Sequence, residues 1–138
     1  MENGKAGARQ ADAARKCILV VDDEQEALEY INDILEGRYV VFTAPDGKRA
    51  LEILDRERVD LVLLDIAMQE MDGNKVLREI RSMPRTESLP VCIVTAIAAP
   101  KQERDSRHLG ANDYLIKPFR IETLMDKVAS LLGERREE

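Results

Sequence analysis

The sequence predicts an α/β fold in which a doubly wound, five-stranded parallel sheet carries helices on both faces. Three observations support this. Ile18 to Val21, Leu61 to Leu64 and Val91 to Val94 are unbroken apolar runs, as expected for central strands covered on both sides. From Lys16 onward, short β-branched runs alternate with longer stretches of helical period, the pattern of successive βα units. Five such units follow one another, and right-handed connections between them fit the strand order 2-1-3-4-5.

The elements follow in order. After the first strand, Ala27, Leu28, Ile31, Ile34 and Leu35 recur at helical spacing and stop at Gly37, a residue suited to a left-handed position after a helix. Tyr39 to Thr43 reads as an outer strand, and Ala50, Leu51 and Leu54 mark the second helix. Val76, Leu77 and Ile80 mark the third, which ends before Pro84 because the residue preceding a proline avoids the helical region. Pro100 suits the first turn of a fourth helix, but Lys101 to His108 contains no large apolar residue, so only its ends are expected to dock firmly. Tyr114 to Ile116 forms the other outer strand. The last helix presents Ile121, Leu124, Met125, Val128, Leu131 and Leu132 on one face and ends at Gly133.

A chain of 138 residues, 44% hydrophobic, has the material for a single core. Residues 1–15 are small, polar and charged without apolar period, so they read as a flexible leader before a domain at 16–133 and a polar tail at 134–138. No window reaches the roughly 18 apolar residues of a membrane span, and the N-terminus lacks the apolar segment of a secretory signal, so a cytoplasmic protein is expected. A formal net charge of -6 argues against direct nucleic-acid binding. Cys17 and Cys92 sit in apolar runs as small hydrophobes, and their spacing suggests neither a disulfide framework nor a metal knuckle.

In open parallel sheets ligands bind beyond the carboxyl ends of the strands, so the first residues after each apolar run carry the chemistry. Asp22 and Asp23 follow the first strand, Asp65 the third, Thr95 the fourth and Lys117 the fifth. Singly, each has an ordinary role: Asp22 or Asp23 as a helix cap, as Glu24 and Glu26 are also expected to be, Asp65 as a turn residue, Lys117 as a surface lysine. Together they place three carboxylates, a hydroxyl and an ammonium at one sheet edge. Carboxylates so close repel unless a cation neutralises them, and magnesium is the fitting hard ion because one or two carboxylates and a phosphate oxygen usually hold it. A free oxygen of Asp65 can then attack a phosphoryl group in line, with Lys117 and Thr95 stabilising the equatorial oxygens.

The segments ILVVDDE (18–24), LVLLDIAMQEMDG (61–73), VTA (94–96) and GANDYLIKPF (110–119) make the chain similar to the receiver domains of bacterial response regulators over about residues 16 to 133. The resemblance implies a flavodoxin-like two-component switch with Asp65 as phosphoacceptor, Asp22 and Asp23 as the acidic metal pocket, and the Ala67 carbonyl as a backbone ligand of Mg2+. It implies Thr95 and Tyr114 as a switch pair that remodels the face made by the fourth helix, fifth strand and fifth helix. Lys117 would bind phosphoryl oxygens, and the Lys117–Pro118 bond would be cis. The implied partners are a histidine kinase or histidine phosphotransfer protein as donor and an unidentified downstream protein, with no catalysis beyond self-phosphorylation and self-dephosphorylation. His108, in a polar run remote from the strand ends, reads as a surface residue and not the donor.

Three departures from the family pattern stand out. Gln69 replaces a common proline. Ala67 and Ile97, two residues beyond Asp65 and Thr95, cannot orient a water, which implies slow self-dephosphorylation. The fourth helix is more polar than usual, with Arg104, Arg107 and His108 as solvated charge. An alternative reading is a pseudo-receiver that acts as a protein-interaction module without phosphorylation. A nucleotide- or flavin-binding domain fits less well, since the first loop reads DDEQE where a phosphate cradle needs glycines and backbone amides.

Overall fold

The computed structural model describes residues 15–68 and 72–134, so the expected leader, the last residues of the tail and Gln69 lie outside the described residues. Strands β1 (Cys17–Val21), β2 (Val40–Ala44), β3 (Leu61–Leu64), β4 (Val91–Thr95) and β5 (Asp113–Ile116) alternate with helices α1 (Gln25–Leu35), α2 (Gly47–Arg56), α3 (Gly73–Ser82), α4 (Pro100–His108) and α5 (Ile121–Leu131). All strands pair in parallel in the order β2-β1-β3-β4-β5, as the sequence predicts.

Successive side chains of a strand point to opposite faces, which splits the core in two. Leu19, Val21, Val62, Leu64 and Ile93 pack against Ala50, Ile53 and Leu54 of α2 and Val76, Leu77 and Ile80 of α3. Ile18, Val20, Leu61, Leu63, Cys92 and Val94 pack against Leu28, Ile31 and Leu35 of α1 and Leu124 and Val128 of α5. Each such side chain removed from water contributes about 1.5–3 kcal/mol. The continuous apolar runs therefore reflect burial on both faces.

Register decides where the polar residues emerge. Val21 lies beside both Ala44 and Leu64, and Thr95 beside Ile116, so β1, β2 and β3 end level, as do β4 and β5. Asp22, Asp65 and Lys117, the residues that follow β1, β3 and β5, emerge at that edge.

Two expectations require correction. Gly37 is not left-handed: among the described residues only Gly110 and Gly133 have positive φ. Helix α1 ends instead with Glu36 still right-handed and the amides of Arg38 and Tyr39 both donating to the Leu35 carbonyl, a closure that needs no left-handed residue. Helix α4 docks through its middle, where Ser106 is its one buried residue and donates to Asn74 Oδ1 of α3 at 3.1 Å. A polar anchor was overlooked because burial was sought only from apolar side chains.

Candidate functional site

Asp22 and Asp65 are both buried, and both are held in the same way. Asp22 Oδ1 accepts the Glu24 amide at 3.0 Å, and Asp65 Oδ1 accepts the Ala67 amide at 2.9 Å. These are local turns in which an aspartate closes on the backbone two residues ahead. Glu24, expected to cap α1 with its carboxylate, occupies the cap position without a side-chain bond. The turn role expected of a lone aspartate and the site role are thus filled by different oxygens of one carboxylate.

The second oxygens face a single cation. Lys117 Nζ lies 2.5 Å from Asp22 Oδ2 and 3.3 Å from Asp65 Oδ2. The lysine is fixed from behind by its amide, which donates to the Thr95 carbonyl at 2.8 Å, and its bond to Pro118 is cis, as the resemblance implied. Burial pushes the Asp22 carboxyl up, the nearby Asp65 charge adds to this, and the Lys117 and Glu24 hydrogen bonds oppose it only in part. Burial alone would lower the Lys117 ammonium, but its bonds and attraction to the two carboxylates prevail and raise it.

Thr95 is fully buried at the end of β4, and its Oγ1 accepts the Ile97 amide at 3.4 Å. Tyr114, buried on β5, donates its hydroxyl to the Ile97 carbonyl at 2.8 Å. One residue's backbone therefore bridges the two expected switch residues. Burial raises the Tyr114 phenol, with the charges of Glu103 and Asp65 adding to it, so it remains a donor. Asp23 and Ala67 are exposed at the rim of the site.

The donor set fits a divalent cation. Two buried carboxylates share one ammonium, leaving the centre one negative charge in excess, and Asp22 is raised as a result. Among the described residues no three His, Cys, Asp or Glu side chains converge as a metal cluster. Magnesium does not require one, since one or two carboxylates with waters and a carbonyl suffice. Beside Lys117 opens a largely apolar cavity of about 460 Å³, lined by Ala27, Tyr30, Ile31, Ala96, Pro118 and Phe119.

Two buried aspartates around one lysine, at the carboxyl edge of a 2-1-3-4-5 sheet, agree with the match of residues 18–129 to the model of the response regulator receiver domain. The chain belongs to this family. This receiver domain is 39% identical over 125 residues to a Vibrio cholerae protein named probable cyclic di-GMP phosphodiesterase, a match covering 91% of this chain but 28% of that protein. It is 37% identical to the response regulator MprA of Mycolicibacterium vanbaalenii over 83% of this chain and 49% of that one. It therefore spans half or less of these two relatives. Among solved structures, the chemotaxis protein CheY4 of Vibrio cholerae superposes with a TM-score of 0.82 at 28% identity, covering 86% of this chain and 99% of that one. The receiver domain of sensor histidine kinase PA1611 from Pseudomonas aeruginosa, solved with magnesium in its active-site cleft, superposes at 0.79 with 31% identity over 88% and 100% of the two chains.

Sequence reasoning missed Gly73. A Cβ there would lie 2.3 Å from the Asp65 carbonyl oxygen and 2.4 Å from Ile66 Cα, so only glycine lets α3 begin against the backbone of the acceptor strand. The DG pair at 72–73 was the available signal. It reads as a turn, and nothing local says what the turn touches.

Proposed function

We propose that this receiver domain is a phosphorylation-dependent switch in which Asp65 accepts a phosphoryl group from a histidine on a kinase or phosphotransfer protein. The observation that carries the reading is the split role of Asp65: Oδ1 is fixed by the Ala67 amide while Oδ2 faces Lys117 Nζ. A fixed carboxylate with one oxygen directed at a cation is a positioned nucleophile. Oδ2 attacks phosphorus as the P–N bond of the donor breaks, and the imidazole leaves with the bonding electrons and takes up a proton. The Lys117 ammonium follows the negative charge onto the transferred oxygens, and the Thr95 hydroxyl turns to donate to them.

A magnesium ion held by Asp22, Asp23, Asp65 and the Ala67 carbonyl would supply charge neutralisation at the phosphoryl oxygens when bound. Once Thr95 donates to the phosphoryl group, its bond with the Ile97 amide is lost. Because Tyr114 holds the carbonyl of that same residue, the face of α4, β5 and α5 shifts with it.

A donor protein must seat its histidine over Asp65, and the apolar cavity beside Lys117 provides adjoining surface for that contact, with Tyr30 half exposed. We place the chain in the cytoplasm with this donor, as a switch without a turnover reaction of its own. Incubation with acetyl phosphate and Mg2+ tests the reading. The parent should gain the mass of one phosphoryl group and Asp65→Asn none; a gain in the variant, or none in the parent, overturns it.

A further inference from the structure

We infer that the buried hydrogen bond between Ser106 and Asn74 ties helix α4 to the backbone of the acceptor loop, a mechanical route separate from Thr95 and Tyr114. Helix α4 has little else to fix it. Its remaining printed side-chain bonds are exposed ones, such as Lys101 to Asp105 and Arg107 to Glu103, while Ser106 is 0% exposed. A helical serine usually turns its hydroxyl back to a carbonyl of its own helix. Here the hydroxyl crosses to another helix and donates to Asn74 Oδ1, itself on a residue only 8% exposed.

The far end of the link is the acceptor. Asn74 is the second residue of α3, and its amide is fixed to Asp72 Oδ1 at 3.0 Å. Its neighbour Gly73 presses on the Asp65 carbonyl and Ile66 Cα so closely that no Cβ fits, and its amide reaches the Ile66 carbonyl at 3.4 Å. Any movement of the backbone at 65–66 must therefore displace the first turn of α3. That turn carries the acceptor of α4's one buried bond.

Among the described residues no buried side-chain nitrogen or oxygen lacks a partner, so deleting the hydroxyl leaves the Asn74 oxygen without its hydrogen. Close-packed elements pass such a displacement on. Coupling of this kind is reciprocal, so a change at Ser106 must be felt at the acceptor loop. Its use in signalling rests on the acceptor role proposed for Asp65; the coupling itself does not.

Amide hydrogen exchange of the full chain tests it. Ser106→Ala should speed exchange at Ile66, Ala67 and Met68 by roughly fivefold, the loss of one net hydrogen bond, as well as through α4. Asn74→Asp, which keeps the Oδ1 acceptor, should leave the loop near parental rates. Faster exchange confined to α4 in Ser106→Ala, with the loop unchanged, overturns the inference. Beryllofluoride with Mg2+ reports separately on Asp65. A parent that does not respond to it defeats the acceptor reading, while the exchange comparison still decides whether loop and helix are joined.

Discussion

Ala67 and Ile97 control what happens after phosphoryl transfer, because a water attacking the aspartyl phosphate must approach past them. Ala67 offers a methyl group, and Ile97 has its amide on Thr95 Oγ1 and its carbonyl on the Tyr114 hydroxyl, leaving only an apolar side chain toward the rim. Neither can orient or deprotonate a water, so loss of the phosphoryl group should be slow. Ala67→Asn combined with Ile97→Glu is expected to shorten the phosphoryl lifetime by roughly tenfold, read as the decay of phosphorylated protein after the donor is removed. A lifetime equal to the parent's would show that hydrolysis is set elsewhere.

Individual elements carry the next level of control, and Asp113 at the start of β5 shows how. Its carboxylate takes Lys127 of α5 at 3.1 Å and Arg107 of α4 at 3.3 Å, joining both helices that flank β5. Burial works against the charge, but the Tyr114 amide, Lys127 and Arg107 outweigh it and hold the carboxyl below its ordinary 3.8. A depressed folded value means that the stabilisation is present above the unfolded pKa of about 3.9 and is lost as pH falls through the lower folded value. Asp113→Asn should therefore melt a few degrees below the parent at neutral pH, a difference of about 0.5–1 kcal/mol that closes below about pH 3.9. Melting curves across the acid range check this, and a gap that persists at low pH would assign the effect to packing. Gly73 acts at the same scale, since its missing Cβ sets how near α3 begins to Asp65. Because the contacts are backbone atoms that cannot give way, Gly73→Ala should cost roughly 1–3 kcal/mol and lower the phosphorylation rate with it, measured by melting and by acetyl phosphate uptake. Strands and most helices could be read directly, because runs such as Leu61–Leu64 and stripes such as Leu124 and Val128 are fixed by burial that one chain records in its own pattern. Asn74 and Ser106 could not, because a polar residue in a helix looks solvated until the helix opposite it is known.

At the scale of the molecule, the parallel sheet makes the site legible and links it to global stability. All strands run the same way, so residues far apart in sequence, Asp22, Asp65 and Lys117, had to emerge at one edge. Their bonding pattern stayed hidden, since which oxygen faces the ammonium depends on loop geometry. The same sheet holds Cys92 in β4, fully buried, its thiol pushed up to about 12 chiefly by burial. Such a thiol is inert to labelling reagents until the sheet opens, so its modification rate reports global unfolding. Two buried carboxylates against one ammonium leave the folded edge short of positive charge, and a divalent cation that binds there and not to the unfolded chain stabilises the whole. In a Cys17→Ala background, Mg2+ at about a hundredfold over its Kd should slow Cys92 labelling by roughly a hundredfold, the kinetic equivalent of about 2.7 kcal/mol. Asp65→Asn should lose most of that slowing, because it removes one of the charges the cation answers. Equal slowing in parent and variant would mean that magnesium binds elsewhere on this acidic surface.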